Sequence, residues 1–218
     1  MKKSLALILL SSILLGGCNL FAPAEEDDGF DPYSHSQWID GLCYSYSTVT
    51  NEATFVGLNG IPNGFTRDKV EVLSEFRGYP VTSVGWKALE GATVNEVILP
   101  SGIKHIGFSA LNGKIDKIVL PEGIEELEDY ALPCGNTDWA PEYYLPSSIK
   151  KVGKYSVGYT SNINQIPSSL EEMGEWAFRA SHFEEVSFPA SVTSIPDYAF
   201  YGITAKTINI GDQITTFT

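Results

Sequence analysis

The sequence predicts a solenoid of short parallel strands, with turns and short helical pieces on the return side and a β-hairpin capping its N-terminal end. Three observations predict it. One phrase recurs six times between residues 94 and 218 at a spacing of 21 to 25 residues, and self-similarity of that period marks one supersecondary unit stacked on itself. Within each copy the apolar residues alternate for a few positions and then stop at a proline, which is strand periodicity closed by a residue with no N–H for a further ladder bond. No copy holds a ten-residue stretch of helical periodicity. A single copy has too few apolar side chains to offset the entropy of ordering its own backbone, so the unit is stable only when neighbours share a core.

Taken in chain order, residues 1–17 read as a secretion signal. Lys2-Lys3 supplies a positive start, Leu5 to Leu15 an apolar run too short for a spanning helix, which needs about 20 residues. Leu15-Gly16-Gly17-Cys18 follows at once and resembles the bacterial lipoprotein processing box, in which the cysteine is acylated and becomes the new N-terminus. The resemblance implies lipid attachment at Cys18, membrane anchoring through that acyl group and exposure at the cell envelope. The competing reading is ordinary secretion with a spare thiol. Residues 18–36 form an acidic tether around Glu25-Glu26-Asp27-Asp28, a solvated spacer by composition. An acidic run so soon after the cysteine also resembles a surface-export signal of some Gram-negative lipoproteins. It lacks the alternating carboxylates and distal glutamate of a calcium loop.

Residues 37–66 predict the capping hairpin. Leu42 to Ser47 and Ala53 to Leu58 are strand-like runs joined by Thr50-Asn51-Glu52. Residues 67–218 are the solenoid. Its clearest copy is Val94-x-x-Val97-Ile98-Leu99-Pro100-x-x-Ile103-x-x-Ile106-Gly107-x-x-Ala110-Leu111. Val97 and Leu99 point inward and Glu96 and Ile98 outward. Ile103 and Ile106 turn back inward, and Ala110-Leu111 closes the return. A small residue recurs at 88, 110, 131, 156, 177 and 199, where the backbone packs against the coil before it.

These residues resemble the BspA-type leucine-rich repeat, whose phrase is a short strand, L/I-P, then I-x-x-I-G-x-x-A-F. The resemblance covers about residues 70 to 218 and implies a leucine-rich-repeat solenoid of the α/β class, β-dominated, that serves binding and adhesion without shared catalytic residues. Gly78 to Gly85 resembles the first repeat of such proteins, which often begin with a hairpin. There are departures: Asn164 stands where an inward valine is expected, Ser156-Val157 replaces Ala-Phe, residues 133–139 enlarge the third coil, and the sixth copy, unfinished at Phe217-Thr218, has no Ala-Phe close and no polar capping repeat in view.

Formal charge is −13, or −15 once Lys2 and Lys3 leave with the signal, which argues against nucleic acid and against direct contact with anionic lipid headgroups. No cofactor or metal is expected. His35, His105 and His182 lie far apart without a second ligand at a binding spacing. Glu125-Glu126 and Glu171-Glu172 resemble acid–base pairs but occupy the two slots between inward residues, so they read as exposed turn positions. No hydrolase, metalloprotease or phosphate-loop motif is present, and the chain reads as non-enzymatic.

The candidate ligand face is the outward surface of the stacked strands, a parallel sheet roughly 24 Å long over six copies. One column runs Ile98, Val119, Tyr144, Gln165, Ser187, Asn209; its neighbour runs Glu96, Lys117, Glu142, Ile163, Glu185, Thr207. Such a face suits a protein, peptide or glycan ligand, although Ile98 and Val119 are equally explained as good strand formers. The alternative is a structural component docking into an envelope complex. The aromatics Trp86, Phe108, Tyr130, Tyr155, Trp176 and Tyr198 sit near each closing alanine and read as return-side packing. Cys43 in the hairpin and Cys134 in the third coil should lie too far apart for a disulfide, which predicts two free or intermolecularly reactive thiols.

Overall fold

A computed structural model describes residues 36–58, 66–135, 143–160 and 163–217. The signal, Cys18, the acidic run and Glu142 lie outside the described residues. The chain opens with β1 (Gln37–Ile39), β2 (Leu42–Ser47) and β3 (Glu52–Gly57), paired antiparallel in sequence. Asp40 and Gly41, both at positive φ, make the two-residue turn between β1 and β2. The hairpin of β2 and β3 is where its alternating residues place it.

From there the coils build two faces, one of long strands and one of two-residue strands. The long-strand sheet begins with β4 (Thr66–Glu71). A tight turn at Arg77-Gly78 then joins β5 (Glu75–Phe76) to β6 (Tyr79–Val84). β7 (Thr93–Ile98), β8 (His105–Ile106), β9 (Lys114–Val119), β10 (Glu126–Leu127), β11 (Lys151–Val152) and β12 (Glu172–Met173) follow. The last elements are β13 (His182–Ser187), β14 (Ser194–Ile195), β15 (Thr204–Asn209) and β16 (Thr216–Phe217). β4, β7 and β9 form one parallel ladder, and β13 and β15 another. The second face is built from two-residue strands: β6, β8, β10, β11 and β12 pair in parallel, β3 joins them at the N-terminal end, and β14 pairs with β16.

The inward positions are those the alternation predicts. Ile103, Ile124, Ile149, Leu170 and Val192 superpose as one buried column, and Leu99, Leu120, Leu145 and Ile166 as another. All belong to one continuous core from Leu42 to Val192. The small closing residues are buried for the reason expected. The neighbouring glycine shows how close the coils approach, since a Cβ on Gly153 would stand 2.5 Å from the Asp129 nitrogen.

The short helical pieces are not there: no described residue is helical. The residue before each closing small residue, Lys87, Ser109, Tyr130, Tyr155, Trp176 or Tyr198, has φ between 53° and 59°. A left-handed residue once per return ends any right-handed helical run. The return N–H groups bond to the next coil instead, as Leu111 does to the Ala131 carbonyl at 2.9 Å and Val157 to Ala177 at 2.9 Å. Coils that also carry a long strand are therefore tied on three sides.

The long-strand sheet also differs from the continuous one expected. Among the described residues the third and fourth coils add no long strand, and the sheet is split between β9 and β13. Asn164 is the cause legible at residue level: its side-chain oxygen accepts from the Leu145 N–H at 3.2 Å, a bond that a ladder carbonyl makes elsewhere.

Cys43 and Cys134 do not pair, as expected, and Cys134 is a free thiol. The expectation of two free thiols is corrected at Cys43, which is fully buried and disulfide-bonded. The advance of the coils separates Cys43 from Cys134 but sets no limit on any other pairing. Burial pushes the Cys134 thiol pKa up, and its Sγ donates to the Tyr155 carbonyl at 3.3 Å.

Candidate ligand face

The long-strand face carries the predicted columns at both ends. Glu96 pairs in register with Lys117, and Ile98 with Val119. The Lys117 ammonium donates to Glu96 at 2.5 Å, and this bond first, with the attraction of the same charge, holds the Glu96 carboxyl below its ordinary value. β4 extends the columns by one coil that the sequence reading did not place there: Lys69 is level with Glu96 and Glu71 with Ile98. Further along, Glu185 is level with Thr207 and Ser187 with Asn209, and the Asn209 amide donates to Glu185 at 2.9 Å.

The apolar outward residues are solvent-accessible. Val119 is 69% exposed and Tyr144 65%, while Ile98 is 37% exposed. Next to Tyr144, Tyr143 points the other way, is buried, and donates its hydroxyl to the Pro133 carbonyl at 3.4 Å. Burial raises the Tyr143 phenol well above its ordinary value.

In the middle of the face one assignment is corrected. Ile163 was expected outward, level with Glu96, Lys117 and Glu185. It is fully buried and bridges Phe183, the column of Val94 and Ile115. Gln165 remains exposed. Between its coil and β13 the surface opens into a cleft of ≈ 410 Å³ lined by Gln165, Glu185 and Ser187 among others. Sequence reasoning missed this cleft; the signal was the Asn164 misfit, whose consequence depends on register.

The return side is a stack of rings. Tyr130, Tyr155, Trp176 and Tyr198 lie face to face with centroids 5.2, 5.6 and 4.3 Å apart, and Phe108 meets Tyr130 edge-on. Tyr155 and Trp176 are each stacked between two neighbouring rings, which agrees with packing, while Tyr198 at the end of the stack is 55% exposed. Such pairs contribute about 0.5–1.5 kcal/mol each, offsetting a backbone conformation that bulky residues seldom adopt.

The short-strand face is a charge ladder. Lys150 reaches Glu125 and Lys151 reaches Glu126, both at 2.7 Å, while His105 Nδ1 lies 3.5 Å from Glu126. Glu125 and Glu126 thus stand beside and on β10, each facing a lysine of the next coil, while Glu172 on β12 is level with Lys151 of the coil before it. Among the described residues no group of three or more His, Cys, Asp and Glu could hold a metal ion, and no helix is long and apolar enough to cross a membrane.

A family model for the BspA type leucine rich repeat region matches in six copies over residues 75–181 and 135–218. The chain belongs to the BspA-type leucine-rich repeat family. Two solved structures agree in fold. A leucine-rich repeat protein of T. pallidum is 22% identical with a TM-score of 0.57, covering 79% of this chain and 85% of its own. One from Bacteroides ovatus is 18% identical with a TM-score of 0.55, covering 83% of this chain and 55% of its own. No curated protein matches in sequence. BspA-type repeats are typically non-enzymatic interaction modules, and the described side chains offer ion pairs, outward apolar residues and a cleft.

Proposed function

We propose that this BspA-type repeat protein is a non-enzymatic interaction module, binding a protein or glycan ligand on the long-strand face and held at the bacterial cell surface by an acyl anchor on Cys18. The observation that carries the binding reading is the exposure of Val119 on the ladder of β4, β7 and β9, with Ile98 partly open beside it and Lys117 and Glu96 at its rim, and of Tyr144 in the coil that follows. Exposed apolar groups within a charged rim make an interaction surface. A glycan and protein array probed with the mature chain tests it. Tyr144→Ala and Lys117→Glu should each weaken capture while the thermal melt stays nearly unchanged. Replacing Lys104, exposed at the edge of the short-strand face, should do nothing. Equal effects at all three positions would point to non-specific charge.

A second reading, docking into an envelope assembly, rests on the last described coil, where Ile208, Ile210 and Phe217 are each more than half exposed. The anchor is tested separately by mass spectrometry of the native N-terminus. The expected species begins at Cys18 with a thioether-linked diacylglycerol. An intact Lys2-Lys3 peptide would end the reading. The structure is that of the unprocessed chain, where Cys43 is disulfide-bonded. The reading requires Cys18 to carry no disulfide once processed, because one sulfur cannot hold both a thioether and a disulfide, and a Cys18–Cys43 disulfide in the mature protein would end it.

A further inference from the structure

β13 is bonded fully along one edge only. Toward β15 its register runs from His182↔Thr204 to Ser187↔Asn209. Toward the preceding coil the described residues give one bridge, Ile163↔Phe183, where the Ile163 N–H donates to the His182 carbonyl at 2.8 Å. Beyond it the two segments differ in length. Three steps lead from Ile163 to Ile166, which precedes Pro167, whereas five lead from Phe183 to Phe188, which precedes Pro189. The shorter path cannot follow the longer. Glu184 to Ser187 therefore have no ladder partner on that side among the described residues, and the cleft of ≈ 410 Å³ opens there.

An unpaired strand edge over a cleft suits an extended chain, which supplies main-chain hydrogen bonds to the edge and a side chain to the cleft. The lining selects the kind of chain. Glu184 is already neutralised by Lys206 at 2.6 Å. Glu185, exposed beside it, accepts only the neutral Asn209 amide among the described residues, and the chain carries a formal charge of −13. A sugar would find no open ring to stack on: Phe188, the aromatic of the lining, is partly buried and engages Phe200 edge-on at 5.4 Å.

We propose that the β13 edge from Glu184 to Ser187 accepts an extended peptide segment of a partner protein, its lysine or arginine side chain seated at Glu185. The inference rests on the long-strand face being the binding face. Four residues of edge span about 13 Å, enough for a short linear segment.

The test uses the mature chain and the labelled peptide acetyl-Thr-Lys-Val-Lys-Val-Lys-Thr-amide, followed by fluorescence anisotropy and amide hydrogen exchange. The lysine peptide should bind and slow exchange within residues 184–188. Its counterpart with glutamate for lysine should not bind. N-methylation of the valines should weaken binding by about tenfold or more, since each lost main-chain bond removes on the order of 1 kcal/mol. Glu185→Lys, at an exposed position, should abolish binding without moving the melt, while Tyr144→Ala should leave it intact. No binding by the lysine peptide, or binding indifferent to N-methylation or to Glu185→Lys, overturns the proposal. If the lysine peptide fails while the array finds ligands sensitive to Tyr144 and Lys117, this inference falls and the broader reading stands; if the peptide fails and the array finds none, both fall.

Discussion

Ser156 occupies the slot that Ala88, Ala110, Ala131, Ala177 and Ala199 fill in other coils, wholly buried, and its hydroxyl has no hydrogen-bond partner among the described residues. A buried hydroxyl without a partner costs about 1–3 kcal/mol in lost hydration. Ser156→Ala should therefore stabilise the protein by about 1 kcal/mol, raising Tm by roughly 2–4 °C for a chain of this size. A calorimetric melt that instead falls would show that the hydroxyl is satisfied after all. The slot itself was readable because its size limit recurs at a fixed interval. The backbone conformation one residue earlier was not. Tyr130, Tyr155, Trp176 and Tyr198 are not the residue types that announce positive φ. Their recurrence was visible in the sequence, but the strain they accept and the stacking that offsets it are properties of neighbouring coils.

At the scale of the strand, the charge ladder of the short-strand face ties β10 to β11. The hydrogen bond from Lys151 is the largest influence holding the Glu126 carboxyl below its ordinary value, and the same bond raises Lys151. The signs fix the pH window. The lowered carboxyl contributes stability above its ordinary pKa and loses it as pH falls through the depressed value. The raised ammonium contributes below its ordinary pKa and loses it as pH rises through the elevated value. Lys151→Met should move the Glu126 titration, followed by carboxyl NMR, upward toward the ordinary range. Stability at neutral pH should change by less than about 1 kcal/mol, because Lys151 is half exposed and Glu126 only partly buried, so solvent screens the pair. An unmoved titration would show that Lys151 does not set it. These two-residue strands escaped the sequence reading, being too short to have a periodicity of their own and defined only by register with the next coil. Asp40-Gly41 is a hairpin signal legible in the sequence, and it makes the turn between β1 and β2. The long strands were legible too, from Val97, Leu99 and Pro100, although the break at Asn164 showed there only as a misfit.

Across the whole molecule, stability is built by neighbours and should fall where neighbours are few. The core runs unbroken from Leu42 to Val192, with Ile106, Leu127 and Val152 fully buried on three successive short strands. In the last described coil Ile208 is 53% and Phe217 68% exposed, and β15 is paired only with β13 among the described residues. In a stack where each coil contacts only the next, an element with one neighbour opens locally at a free energy below that of global unfolding. Amides of β15 should thus exchange with solvent well before those of Ile106, Leu127 and Val152. Leu127→Ala separates local from global opening. Deleting this buried side chain should cost about 2–5 kcal/mol and speed exchange of the core amides by that amount, because they exchange only when the stack unfolds. The β15 amides should keep their wild-type rates, since their opening leaves the Leu127 layer closed. Native-state hydrogen exchange reads both classes in one experiment. If β15 were as protected as the core, or slowed and quickened with it in the variant, the last coil would belong to the same cooperative unit and the one-neighbour argument would fail.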